Sequence, residues 1–134
     1  MKEYILDGCR FSTLEEFYDE VSRVLIPNVR WGRNLDAFDD ILRGGFGTPE
    51  EGFQIRWVNV RLSRDRLGYT ETARQLKLRL ERCHPSNRAD VSQDLRRAEQ
   101  REGRTVFDWL VEIIRDHGEG GDENEDQVAL ILVD

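Results

Sequence analysis

Residues 128–133 read Val-Ala-Leu-Ile-Leu-Val, six apolar residues in succession. The run is too short for a buried helix and far below the ~20 residues that a membrane-spanning helix needs. It reads as a strand covered on both faces, of the kind found in the middle of a parallel sheet clothed by helices. The rest of the chain must then supply further strands and apolar helix faces.

It does so in alternation. Glu3–Leu6 reads as a short strand ending at the turn pair Asp7-Gly8. Ser12-Thr13-Leu14-Glu15 fits a capping box, with Ser12 as the cap and Glu15 three residues on. Leu14, Phe17, Tyr18, Val21 and Leu25 then form one helical stripe that stops before Pro27. Asn34 is placed to cap a short helix from Leu35 to about Leu42, which Gly44-Gly45 ends. After a glycine-rich connection, Phe53–Val60 alternates apolar and polar residues as a half-covered strand.

Residues 61–104 differ in character. Ala73, Leu76, Leu80 and Cys83 mark one helix, and Val91, Leu95 and Ala98 mark a second, largely solvated one capped by Ser86 or Asn87. Thr105 and Asp108 then form another cap, followed by a helix apolar on nearly every side, which is expected to be buried. An acidic, glycine-rich loop from His117 to Asp126 leads to the closing strand. The expected fold is α/β: one domain over 1–134, a three-stranded parallel sheet packed by helices, with a helical insert at about 61–104 between the second and third strands. Crossovers between parallel strands are expected to be right-handed.

Charge narrows the partners. The net charge is −7, which argues against direct binding of nucleic acid, since phosphates need a basic face. The distribution is uneven: 61–104 carries +5 and the remainder −12. The N-terminus has no signal-peptide pattern, and the chain reads as a cytoplasmic protein with no membrane association. Cys9 and Cys83 lie outside any CxxC or Cys/His framework and read as reduced thiols.

Catalytic and metal chemistry find few candidates. His84 and His117 are the only histidines, and their surroundings supply no zinc spacing, so no metal or cofactor is expected. His84 reads as a surface residue at a helix end. There is no GxSxG, and the Gly44–Gly47 tract lacks the Lys-Ser/Thr of a phosphate-binding loop. Asp36, Asp39 and Asp40 could in principle act as paired acids, but no base or pocket aromatic accompanies them. Asp36 is explained by the positive end of the helix dipole, whereas Asp39 and Asp40 lie too far along for that effect. The cluster therefore reads either as a solvated helix face or as a surface made to meet positive charge.

Taken together, Trp31-Gly32-Arg33-Asn34-Leu35-Asp36-Ala37-Phe38-Asp39-Asp40 resembles the segment that marks the barstar family of ribonuclease inhibitors. YILDG with its capped helix, FQIRW, FDWLVEIIRD and VALILV resemble other parts of that family in order, over about 3–60 and 105–133. The resemblance implies a non-enzymatic inhibitor, or immunity protein, that is monomeric when free. Its short helix would plug the active site of a small basic ribonuclease or related toxin, with carboxylates in the places of RNA phosphates. Carried over by position, Asp40 would be the principal acid, Asp36 a second one, and Asn34 and Leu35 contact residues. Gly32 would allow close backbone approach, Arg30 and Trp31 would occupy two aromatic positions, and Asp116 would be a further binding carboxylate. Asp39 and Gly44 complete the expected surface.

The departures bear on which enzyme is met. Asp39 stands where a tryptophan occurs in the best-known member, Arg30 replaces an aromatic residue, and Gly45 stands where another is expected. Arg30 and Arg33 would be repelled by a basic cleft. The basic insert is expected either to pack away from the site or to touch an acidic patch of the partner, or else to be structural elaboration alone. A barstar-like module for a partner other than a ribonuclease is the alternative reading.

Overall fold

A computed structural model describes all residues, 1–134. The chain runs β1 (Glu3–Asp7), α1 (Leu14–Val24), α2 (Leu35–Leu42), β2 (Phe53–Val58), α3 (Val60–Arg66), α4 (Tyr69–Arg82), α5 (Arg88–Glu99), α6 (Val106–Asp116) and β3 (Val128–Leu132). The three strands form one parallel sheet in the order β1-β2-β3. The α/β fold with a three-stranded parallel sheet is the one expected.

The position of β3 is not. It is an edge strand, and the middle of the sheet is β2, the strand with alternating character. The register explains how both patterns fit. Tyr4 and Leu6 of β1, Phe53, Ile55 and Trp57 of β2, and Val128 of β3 are buried on one face, with Leu130 and Leu132 packed beside them. Helices cover that face. The other face carries Ile5, half exposed, in register with Arg56 and Ile131. Arg56 Nε donates to Glu3 Oε2 at 3.2 Å across this face. A continuous apolar run thus serves an edge strand with one face against the core and the other partly covered.

The core is aromatic at its centre. Phe17 of α1 stacks on Trp57, with ring centroids 5.5 Å apart, and meets Phe38 of α2 edge-on at 5.3 Å. Phe107 of α6 packs on the same Trp57 at 5.2 Å. The indole N–H of Trp57 donates to Ser63 Oγ at 3.0 Å, which satisfies a buried donor.

Three local expectations change. The cap of α1 is Thr13, whose Oγ1 accepts from Glu16 N at 3.1 Å, while Glu16 Oε1 accepts from Ser12 N at 2.7 Å; the cap is one residue later than read. The second strand stops at Val58 because Asn59 takes a left-handed conformation, φ 58°, and α3 begins directly after it. Asn87 precedes α5 without a side-chain capping bond. The cap of α6 forms as read, with Thr105 and Asp108 bonding reciprocally.

The segment 61–104 is tied into the domain. Val60 and Leu67 belong to the core, and Phe107 N donates to Leu67 O at 3.1 Å. Thr72 Oγ1 accepts from Val106 N at 2.8 Å. The buried carboxylate of Glu71 accepts from Leu14 N, at the first turn of α1. Helix α5 lies outward, with Val91 and Ala98 its buried residues.

Candidate functional site

Helix α2 is short, acidic and half in the core. Its inner row, Phe38, Ile41 and Leu42, is buried. Its start is fixed by Asn34, whose Oδ1 accepts from Ala37 N at 2.8 Å and whose Nδ2 donates to Gly32 O at 3.3 Å. Gly32 leaves room for this cap: a Cβ there would sit 3.1 Å from both Ala37 Cβ and Asn34 Nδ2. Gly44 ends the helix at φ +88°, where a Cβ would stand 2.9 Å from the Pro49 carbonyl oxygen.

The approach loop is anchored backward onto α1. Trp31 is partly buried, its indole N–H donates to Ser22 Oγ at 2.7 Å, and its ring meets Tyr18 edge-on at 5.4 Å. Arg33 bonds the carboxylate of Asp19. That pairing offsets the charge that would repel a basic partner. Arg30 is exposed.

The three aspartates have different surroundings. Asp36 is exposed in the first turn. Asp40 is exposed and pairs with Arg43 one turn on, at 2.5 Å. Asp39 turns inward: its Oδ1 lies 2.6 Å from Nε2 of His117, a ring with no exposed surface. On the ring's other side, Nδ1 lies 2.6 Å from Asp126 Oδ2, and Glu123 Oε2 is 3.3 Å from Nε2. Arg43 Nη2 bonds the outer oxygens of the cluster, Glu123 Oε1 at 2.7 Å and Asp39 Oδ2 at 3.3 Å. Burial alone would push the His117 imidazole down. Hydrogen bonds to Asp126 and Asp39, with the charges of Asp39 and Glu123, outweigh it and hold the group above its ordinary value of 6.5.

Asp39, His117 and Glu123 each offer one ligand-type atom, all within 4.8 Å of one another. These atoms are paired with one another and with Arg43: His117 Nε2 hydrogen-bonds Asp39 Oδ1, and the Arg43 guanidinium bonds the outer oxygens of Asp39 and Glu123. The arrangement is an ion network.

Asp116 is exposed at the end of α6, next to His117, and its carbonyl accepts from Glu123 N at 2.8 Å. Leu35 is partly buried. Arg33, Asn34, Leu35 and Asp36 share a groove of about 920 Å³ with Gln75, Arg79, Arg82 and Cys83 of the insert region. The insert therefore borders the start of α2. Helix α4 meets α1 there through the Leu14 N to Glu71 bond and through Arg74 and Gln75, which both bond Glu15.

Four residues were missed. Phe46, half exposed, sits in the turn closed by the Gly45 N to Thr48 O bond, one position after the glycine standing for an aromatic. Its signal was an aromatic isolated among glycines. Val29 is also exposed, in the loop before α2. His117 and Glu123 belong to the network about Asp39, but their 78- and 80-residue separations from Asp39 and Arg43 left no local pattern to read.

The arrangement defines a small α/β protein that presents an acid-bearing helix between two loops with exposed apolar residues. The family model of barstar, the barnase inhibitor, matches residues 1–84. The chain belongs to the barstar family. The matched stretch runs from β1 through α4, so it continues past the second strand into the expected insert, while Asp116 lies outside it. Comparison with curated proteins found no match. No helix is long and apolar enough to cross a membrane.

Proposed function

We propose that the protein is an intracellular inhibitor, or immunity protein, that binds a small basic ribonuclease or related toxin and blocks its active site with α2. The observation that carries this reading is the exposed pair Asp36 and Asp40 on one short helix, in a chain of the barstar family. Asp40 takes the place of a substrate phosphate, and Asp36 pairs with a second basic side chain. Asn34 and Leu35 contact the enzyme from the helix start, Gly32 and Gly44 let the backbone come close, and Asp116 adds a carboxylate from α6. Trp31 holds the loop in shape, and Arg30 lies at the rim. The protein works by occupying a site, with no catalytic group, cofactor or nucleic-acid contact of its own.

Asp39 is committed to His117 and Asp40 to Arg43, and of the three acids Asp36 alone lines the groove at the start of α2, which supports an inhibitor over an enzyme that uses the acids together. Titration into a panel of small basic microbial ribonucleases, following RNA cleavage, tests the proposal. Stoichiometric inhibition lost in Asp36→Ala/Asp40→Ala is the expected result. Inhibition of no enzyme in the panel would favour the alternative, a barstar-like module for another partner. That alternative draws on Asp39, which is committed to His117 and leaves the surface beside Asp40 without a large side chain.

A further inference from the structure

We infer that His117 is the positioning residue of helix α2: its ring, hydrogen-bonded at both nitrogens, clamps the helix to the 117–126 loop and sets the direction in which Asp40 is presented. This rests on the reading of α2 as the partner-binding element. Asp39 is on α2 and Asp126 is in the loop, and the imidazole bridges them at 2.6 Å on each side. An ionised carboxylate only accepts hydrogen bonds, so both ring nitrogens must donate, and only the doubly protonated ring does that. Loss of either proton would set a nitrogen lone pair against a carboxylate oxygen. One of the two bonds must then open: either Nε2 to Asp39, which parts the helix from the loop, or Nδ1 to Asp126, which frees the ring to turn and carries Asp39 with it.

The groups around the ring are few. Asp39 faces it from α2, and Glu123 and Asp126 from the loop. Arg43 reaches it only through Asp39 and Glu123. From β3 the contact is backbone alone, Val128 N donating to His117 O at 2.8 Å. From its own helix, Asp116 contributes a carbonyl to Glu123. The other polar tie between α2 and the loop, Arg43 to Glu123, is solvent-exposed and correspondingly weak. Phe38, Ile41 and Leu42 hold α2 on the core by apolar packing, which is non-directional. The direction of the outward acids therefore falls to the buried ring.

The test uses the free, full-length chain labelled with nitrogen-15. Long-range proton–nitrogen spectra should show both His117 nitrogens protonated at neutral pH. Hydrogen-exchange protection factors of α2 amides should fall at least about tenfold, relative to those of α1, as His117 loses its proton. In Asp126→Asn the midpoint of His117 should move down, and the loss of α2 protection should move down with it. This variant leaves the partner-facing acids in place, and a merely structural role would not shift the pH of the step. A His117 ring carrying a single proton at neutral pH, or α2 protection that is flat across its titration, would overturn the inference. If Asp126→Asn does not fold, the wild-type titration decides alone. These readouts need no ribonuclease, so a clamp that fails while inhibition persists leaves the proposed function standing. A panel without inhibition leaves the clamp measurements intact.

Discussion

Glu71 Oε2 accepts a hydrogen bond from Leu14 N at 2.8 Å, across 57 positions of chain. The first turn of a helix has backbone donors without partners inside the helix. Here a carboxylate from a distant helix satisfies one of them, in a buried setting, while Arg74 pairs with the same side chain at 2.7 Å. Glu71→Ala is expected to lower stability by about 1–3 kcal/mol, the usual cost of leaving a buried donor unsatisfied. Urea denaturation followed by tryptophan fluorescence measures it. A loss of a few tenths would mean that water replaces the carboxylate.

Asp40 and Asp36 should matter to binding far more than to folding. Asp40→Ala should weaken the complex by about 2–5 kcal/mol, the general cost of truncating one partner of a buried charge pair, a range to which the barnase–barstar complex itself contributes. Glu119→Ala, an exposed change in the loop, should cost below about 1 kcal/mol. Inhibition constants measured side by side check both. Equal small effects would count against α2 as the contact surface.

Phe46 is half exposed although it is a large apolar residue. Phe46→Ala should leave the unfolding midpoint unchanged within error and raise the inhibition constant about 5- to 30-fold, equivalent to about 1–2 kcal/mol, as expected if Phe46 contacts the partner. The pair of measurements separates a contact residue from one that packs within the monomer.

Arg43 holds Asp40, Asp39 and Glu123 together in the free protein. Arg43→Gln should free Asp40 and make the surface more negative. Association with a basic partner should quicken, and its rate should fall more steeply with added salt. Stopped-flow mixing at several ionic strengths reads both changes. A slower association would show that Arg43 itself contacts the partner.

The stability of the fold should fall on the alkaline side. His117 is held above its ordinary 6.5, so the folded state keeps a proton over a range of pH where the unfolded chain has lost it. Its stabilisation is complete below 6.5 and is lost as pH rises through the folded midpoint. Chemical denaturation between pH 6 and 9 should show the decline in wild type and a flatter profile in His117→Gln. Identical slopes would show that the network carries no net proton linkage.

The parts of the molecule legible in sequence were those written in neighbouring residues. The Asn34 cap and the Thr105–Asp108 box follow from side chains that bond three positions away. The stripe of α1 gave its buried face, though Thr13 took the cap from Ser12, because two adjacent hydroxyls satisfy the same local rule. The start of helix α3 was read into the second strand, which was carried to Val60, since a single left-handed residue, Asn59, separates the two elements. The edge position of β3 was hidden because its apolar run does not say how far each face is covered. The site divided in the same way: the α2 segment was recognisable, whereas the roles of Asp39 and Phe46 depended on what lay opposite them.

The order of synthesis gives the Asp39–His117 contact a further meaning. Helix α2 leaves the ribosome 78 residues before the ring that meets it, and Glu123 and Asp126 follow later still. A nascent chain at that stage carries the acidic helix with no fixed bearing. On the proposed roles of α2 and His117, recognition is reserved for the finished polypeptide, and a chain stalled or clipped ahead of residue 117 would retain the acids while losing their aim.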